Sequence, residues 1–166
     1  LHTKDGGNTR TKQPIELERP IDFWNVYFYS ETVGFITGVR GTILKTVDGG
    51  KTWTQKKWEV AEGRSGRRRL TDTWIIDGEV GFMVGENNTL LKTADGGETW
   101  SGEGKGVAVG QTRNNLERIF FGSPTHGWIV GSFGTLLHTS DGGETWEAQS
   151  PNTDSNLHGV YFLNPT

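Results

Sequence analysis

One eight-residue motif recurs four times along this chain, and its spacing limits the folds that the chain can adopt. The motif reads Thr-x-Asp-Gly-Gly-x-Thr followed by Trp, with Arg10 in place of Trp in the first copy. The four copies are Thr3 to Arg10, Thr46 to Trp53, Thr93 to Trp100, and Thr139 to Trp146. Successive motif aspartates are 43, 47 and 46 residues apart. A repeat of about 45 residues therefore organises the whole chain.

Short apolar blocks stand at fixed distances before each motif. They hold β-branched and aromatic residues bounded by Gly, Asn, Asp or Ser, which is typical of short strands joined by tight turns. In one repeat the strands are expected at Val26 to Phe28, Phe35 to Val39, Thr42 to Thr46, and from Thr52 onward. Four antiparallel strands per repeat predict an all-β fold, a β-propeller of four-stranded blades. The alternative is a β-helix or solenoid, which generally has shorter repeats with one or two strands each.

Counting the expected strands gives about 3.75 blades, and hence an incomplete ring. The expected segments are the end of one blade at 1–22, blades at 23–58, 72–101 and 116–149, and the first strand of a further blade at 157–166. A seven-bladed ring would need roughly 315 residues, nearly twice the length of this chain. We therefore expect the missing blades to be supplied by a longer chain, of which this is a piece, or by self-association.

Composition narrows the function classes. Glycine is frequent, with 25 copies in 166 residues, and only 32% of residues are hydrophobic, so a helical bundle is not expected. No run approaches the ~18 consecutive apolar residues of a membrane span. The chain has no Cys and hence no disulfide framework. The net charge of −3 gives no indication of a nucleic-acid partner.

The motif itself is explained by turn chemistry. The aspartate carboxylate is expected to accept hydrogen bonds from turn N–H groups, and the glycines permit positive φ angles. The Trp ring is expected to pack over the turn or between blades. The structural positions predicted in this way are Asp5, Asp48, Gly50, Trp53, Asp95, Gly97, Trp100, Asp141, Gly143 and Trp146.

In these residues the sequence resembles the Asp-box hairpin, also called the BNR repeat. That hairpin occurs in sialidases, sortilin-type receptors, some xyloglucan-degrading hydrolases and the photosystem II stability/assembly factor family. The blade pattern at Val33 to Trp53, Val80 to Trp100 and Thr125 to Trp146 is most similar to the last of these. The resemblance implies a non-catalytic scaffold that binds a protein partner. It also implies an exported location, which would be periplasmic, thylakoid-lumenal or extracellular.

A cluster of arginines marks the candidate binding site. Four of them lie in the linker before the second complete blade, and guanidinium groups suit forked hydrogen bonds to carboxylates or phosphates. Linkers of this kind and second-to-third turns generally line one rim of a propeller. The candidate residues are Arg64, Arg67, Arg68, Arg69, Arg113 and Arg40. The expected partner is a protein with an acidic segment; the alternative is a solvated charge run with no binding role.

No residue pattern indicates catalysis, a metal or a cofactor. The glycine-rich stretch from Ser101 to Gln111 lacks the order of a phosphate-binding loop, and each motif offers one carboxylate where calcium prefers six to eight oxygens. The carboxylates Glu59, Glu62, Asp72, Asp77 and Glu103 show no pairing of the kind that glycosidases need. Two alternatives stay open: a fragment of a secreted Asp-box glycoside hydrolase, and a sortilin-like recognition propeller.

Overall fold

The computed structural model describes residues 2–3, 5–13, 15, 17, 19–59, 68–102 and 114–163. These residues form three antiparallel sheets with no α-helix, and each sheet contains one complete set of the four strands predicted per repeat. The all-β propeller fold is thereby confirmed. Within the described ranges, no helix is long and apolar enough to cross a membrane.

Strand order follows chain order in every sheet. The first sheet consists of β1 (Phe23–Phe28), β2 (Gly34–Gly38), β3 (Ile43–Thr46) and β4 (Thr54–Lys56). The second consists of β6 (Leu70–Ile75), β7 (Gly81–Gly85), β8 (Thr89–Thr93) and β9 (Trp100–Gly102). The third consists of β10 (Leu116–Phe121), β11 (Gly127–Gly131), β12 (Leu136–Thr139) and β13 (Glu147–Ala148). We call these sheets blades 1, 2 and 3.

The first strand of each blade carries a β-bulge at the same place. The pairing register shifts between Phe23 and Asn25, and likewise in the two later blades. The residues within the shifts are Trp24, Thr71 and Glu117. Beside the bulge, the carbonyl of Asp22 approaches Gly38 so closely that a Cβ there would overlap it. The same approach recurs at Gly85 and Gly131, which explains the second glycine of each Gly-aromatic-x-x-Gly block.

The hydrophobic core lies between the blades. One cluster fills the interface of blades 1 and 2 and includes Phe35, Ile43, Leu70, Met83 and Trp100, all nearly inaccessible to solvent. A second cluster fills the interface of blades 2 and 3 and includes Phe82, Leu116, Phe121, Ile129 and Leu137. Apolar side chains on both faces of each blade are therefore what fix neighbouring blades to one another.

One additional strand was not predicted. Residues Trp58–Glu59, which form β5, pair in parallel with the outer strand β9 of blade 2. The Trp58 indole donates a hydrogen bond of 3.1 Å to the carbonyl of Gly41. The linker leaving blade 1 thus binds the outer edge of blade 2 and protects it from other strands.

The ends of the chain differ from the expectation in one respect. A single antiparallel bridge joins His2 and Thr11, as expected for the end of a blade at 1–22. The first strand expected at 157–166 is not formed in residues 157–163. A first strand pairs with the second strand of its own blade, and the described residues contain no such partner after Leu163. The segment nevertheless packs on blade 3 through Tyr161 and Phe162.

Candidate functional site

The Asp-box turns lie at one end of the blades, which we call the lower rim. Each box joins the third and fourth strands and is fixed to the adjacent first-to-second turn by one backbone hydrogen bond. The bonds are Gly49 N to Thr32 O, Gly96 N to Glu79 O and Gly142 N to Thr125 O, at 2.8–2.9 Å. The lower rim is therefore built from a repeated, internally bonded turn.

Two threonines and one aspartate form the same network in every box. In the third box, Asp95 accepts hydrogen bonds from the hydroxyl and N–H of Thr99, the N–H of Glu98 and the hydroxyl of Thr93. Thr93 in turn accepts the N–H of Gly97 at 2.9 Å. These donors, Thr99 foremost, hold the pKa of Asp95 well below its usual range. Thr9 and Thr52 likewise lower the pKa of Asp5 and of Asp48 to about 2.

The box carboxylates therefore hold the turns together. Their oxygens already accept bonds from neighbouring threonines and turn N–H groups, in all four copies. The described residues contain no group of three or more His, Asp or Glu side chains that could hold a metal ion. The box tryptophans Trp53, Trp100 and Trp146 bury their indole Nε1 without an acceptor in the described part of the chain, so they act through ring packing.

The opposite end, which we call the upper rim, carries the second-to-third turns. Each turn has two consecutive residues with positive φ, the geometry of a type I′ hairpin. The first of the two is a residue other than glycine in every blade: Arg40 (φ 60°), Asn87 (φ 54°) and Phe133 (φ 54°). A threonine hydroxyl closes each turn on a carbonyl, as Thr42 does to Val39 at 2.8 Å. The backbone is thus the same in all three turns while the exposed side chain differs.

Each of these turns is also bonded to the linker that enters the next blade. The bonds are Gly41 N to Arg68 O at 2.7 Å, Asn88 N to Asn114 O at 2.7 Å, and Gly134 N to Ser155 O at 2.9 Å. Turns and linkers therefore form one continuous surface. This surface includes the described part of the predicted arginine site.

Arg69 is held by three groups from other parts of the chain. Its guanidinium carbon lies 4.0 Å from the centroid of the Trp24 ring, and its Nη2 lies 3.3 Å from the Glu86 carboxylate. The backbone N–H of Arg69 also donates to Glu86, at 3.0 Å. The side chain is 23% exposed. The alternative of a solvated charge run is therefore wrong for Arg69, because Trp24 and Glu86 fix its position.

Arg68 and Arg40 flank this group on the same rim. Arg68 donates from Nη1 to the Asn87 carbonyl at 3.3 Å and to the Thr89 hydroxyl at 3.1 Å. Arg40 is exposed at the tip of the first turn. The structure therefore brings three of the six predicted arginines together between blades 1 and 2. The other three, Arg64, Arg67 and Arg113, lie outside the described residues.

Two aromatic residues of the upper rim were missed by the sequence analysis. Trp24 is 51% exposed and stands at the β-bulge, where the other blades have Thr71 and Glu117. Phe133 is 70% exposed at a turn position that usually favours Asn or Gly. Comparing equivalent positions of the repeats would have identified both, because each is a large aromatic where its counterparts are not.

The inner strands carry one part-buried carboxylate. Asp72 accepts hydrogen bonds from the Asn25 side chain at 2.8 Å, its neighbour Thr73 N at 2.9 Å, and Ile119 N of blade 3 at 3.1 Å. Burial raises the pKa of Asp72, although these bonds oppose the rise. Asp72 therefore links three blades.

The remaining carboxylates considered for catalysis do not form a pair. Asp77 accepts the N–H groups of Glu79 and Val80 within its own turn. Glu62 and Glu103 lie outside the described residues, as does the side chain of Glu59. The described residues thus supply no catalytic pair.

Comparison with known proteins was made at the level of family models and solved structures. The model of the family described as photosynthesis system II assembly factor YCF48 matches residues 8–104, 57–150 and 105–164. A solved YCF48 described as bound to D1 peptide is 25% identical, with a TM-score of 0.67 over 81% of this chain. YCF48 from Cyanidioschyzon merolae is 23% identical, with a TM-score of 0.66 over 82% of this chain.

Other comparisons give the fold alone or nothing. An ancestral GH74 enzyme is 15% identical, with a TM-score of 0.62 over 88% of this chain and 20% of its own length. No curated protein sequence matches the chain. The chain spans 42% and 43% of the two solved YCF48 chains.

Proposed function

Because the chain belongs to the photosystem II assembly factor YCF48 family, we propose that it forms part of a non-catalytic propeller scaffold whose upper rim binds a segment of another protein. The solved relative described as bound to D1 peptide supports a peptide-like partner. We extend the proposal to an exported location, since the family assembles a membrane photosystem. The remaining blades would come from a longer chain or from self-association.

The observation that carries this proposal is the arrangement of Arg69, Trp24 and Glu86. A guanidinium stacked on an indole and fixed by a carboxylate keeps its position before any partner arrives. Preorganised Arg and Trp side chains are the residues that contribute most at protein interfaces. The exposed face of Trp24 and the tip residues Arg40 and Phe133 extend the same surface over the blades.

The chemistry of the rim favours an acidic and partly apolar segment. Arg40 is exposed, and Arg68 and Arg69 contribute positive charge beside it. Glu86 is the carboxylate that contacts Arg69, so part of the charge is compensated within the site. An acidic side chain near Arg40 and an apolar one on Trp24 or Phe133 would complement this surface.

The test uses the D1 peptide of the solved relative as a fluorescently labelled probe. Substituting Arg40→Asn removes the exposed charge, and Asn tolerates the left-handed conformation at φ 60°, so folding is preserved. We expect binding about 3- to 10-fold weaker, and steeper salt dependence for the unmodified chain, because exposed charges are screened over about 10 Å or less.

The matched control is Lys51→Asn, which removes one exposed positive charge from the lower rim. Its binding should equal that of the unmodified chain. Equal losses in both variants would mean that only overall charge matters. Absence of any binding by the unmodified chain would show that the proposed function is wrong for these residues.

A further inference from the structure

Neighbouring blades interlock through one aromatic side chain of each second strand. Phe35 of blade 1 packs edge-on against Trp100 of blade 2, with ring centroids 5.9 Å apart at 90°. Phe35 also covers Gly97, where an added Cβ would lie 2.5 Å from the ring. Phe82 contacts Trp146 and Gly143 of blade 3 in the same way. The box glycine and Trp of each blade thus form a socket for the aromatic ring of the preceding blade.

The corresponding socket of blade 1 lacks such a ring. The atoms nearest to a Cβ built on Gly50 belong to Trp53, at 3.3 Å, the Gln13 side-chain oxygen, at 3.4 Å, and Phe28, at 3.6 Å. A cavity of about 860 Å³ adjoins these residues, between the segment from His2 to Ile21 and the face of blade 1. This volume is at the upper end of the range for ligand sites in proteins.

Equivalent positions show that this face is normally covered. Val26 and Phe28 of β1 are 60% and 43% exposed. Their counterparts, Thr73 and Ile75 in blade 2 and Ile119 and Phe121 in blade 3, are at most 5% exposed. The preceding blade accounts for that difference, because it packs over those first strands. The open face of blade 1 is therefore an apolar surface of defined shape.

The register of the strand that would fill the cavity follows from the three complete blades. His2 pairs with Thr11 as Lys45 pairs with Thr54 and as Lys92 pairs with Ser101. On its other side, each of these third-strand residues pairs with the second-strand aromatic: Lys45 with Phe35, Lys92 with Phe82, and His138 with Trp128. A strand paired to His2 in this register would place its aromatic residue opposite His2, facing Gly50.

We propose that this socket is a docking site for one extended strand of the pattern Gly-aromatic-x-x-Gly, which enters the cavity as the second strand of the incomplete blade. The strand would pair with the third strand at His2 and insert its aromatic ring between Gly50, Trp53 and Phe28. Main-chain pairing would supply affinity and the socket would supply specificity, as in other cases of strand addition.

The donor is a strand other than those of a second copy. The strands with this pattern in the described residues are β2, β7 and β11, and each is already paired on both edges. None can enter a sheet without leaving its own. The site therefore selects a free extended segment that carries the pattern.

The test adds a labelled synthetic peptide that copies residues 32–39, which contain the pattern Gly34-Phe35-Ile36-Thr37-Gly38. Fluorescence anisotropy is measured on the 166-residue chain at concentrations where light scattering shows a monomer. We expect saturable binding that a peptide with Phe35→Ala loses by at least tenfold. This peptide pair tests the socket without altering the protein.

Two variants of the chain locate the binding site. Gly50→Ala places a methyl group where the incoming ring would lie and should weaken peptide binding at least tenfold. Gly49→Ala is the matched control: it carries a comparable left-handed residue, φ 74° against 83°, but its Cβ would face the Glu31 carbonyl. Equal binding of the two peptides, or unchanged binding by Gly50→Ala, would overturn the proposal. So would no peptide binding by the monomeric chain.

Discussion

At the scale of single residues, the box aspartates and their threonines form one bonded unit. The first threonine of the motif both donates to the carboxylate and accepts the N–H of the second glycine, as Thr46 does with Asp48 and Gly50. The second threonine supplies a hydroxyl and an N–H to the same carboxylate. Removing the carboxylate therefore leaves several donors of the turn without their partner.

The variant Asp95→Ala tests this unit in a complete blade. Losing bonds from Thr93, Glu98 and Thr99 should lower the free energy of unfolding by about 1–3 kcal/mol. Asp5→Ala removes similar bonds, but a Cβ on its neighbour Gly7 would meet no atom within 4 Å, whereas Gly97 lies against Phe35. We therefore expect a smaller shift for Asp5→Ala in urea melts. Equal shifts would show that packing by the complete blade does not matter.

Acid should weaken the same turns over a defined range. Hydrogen bonds from Thr52 and Thr46 lower the pKa of Asp48 from 3.8 to about 2. The folded state therefore binds this proton less readily than the unfolded state, and the contribution present above about pH 4 is lost as the pH falls towards 2. Asp72, whose pKa burial raises, changes stability in the opposite direction, since protonation favours its folded form.

The measurement is the urea midpoint between about pH 5 and pH 2. We expect the midpoint of the unmodified chain to fall with acid. It should fall less in Asp48→Asn, because asparagine has no proton to gain at this position. Parallel curves for the two proteins would mean that the Asp48 carboxylate does not contribute to the pH dependence.

At the scale of strands and turns, charged bridges supplement the apolar interfaces. Glu98 of blade 2 contacts Lys45 and Lys56 of blade 1, both at 2.6 Å. Lys45 has a side chain only 9% exposed, so its ammonium depends on this partner. Glu144 makes the equivalent contact to Lys92 alone, and Lys92 is 21% exposed. The two bridges occupy the same repeat position with different burial.

Substituting each glutamate by glutamine separates these cases. Glu98→Gln should destabilise by about 1 kcal/mol, because it leaves a nearly buried lysine without a counter-ion. Glu144→Gln should cost less than about 0.5 kcal/mol, as is usual for exposed pairs. Thermal midpoints in low salt measure the difference. A larger loss in Glu144→Gln would contradict the role that we assign to the burial of Lys45.

The sequence predicted the four strands of each blade well, because β-branched blocks and the box recur in order. It did not predict β5, since pairing of two residues such as Trp58 and Glu59 leaves no periodic signal. It also missed the fixed position of Arg69. That position depends on Trp24 from blade 1 and Glu86 from the second-to-third turn of blade 2. Contacts between repeats depend on folding geometry that the local pattern does not contain.

At the scale of the whole molecule, the three blades form an arc with two different faces at its ends. One face exposes Trp24, Val26 and Phe28 beside the cavity. The other is partly covered by Tyr161 and Phe162, which stack on Phe120 and Trp128. The first face is therefore the more apolar and open of the two. Large exposed apolar patches promote association between protein molecules.

We expect the isolated chain to self-associate through this first face as its concentration rises. Val26→Lys should shift the equilibrium towards the 18.4 kDa monomer, because it places a charge in the centre of the patch. Its cost in folding should be small, since Val26 is 60% exposed in the unmodified chain. Val47→Lys is the matched control, because Val47 is 63% exposed in the first complete Asp-box and does not line the cavity. Static light scattering over a hundredfold range of concentration compares the three proteins. A monomer at all concentrations, or equal effects of the two lysines, would show that the open face of blade 1 does not drive association.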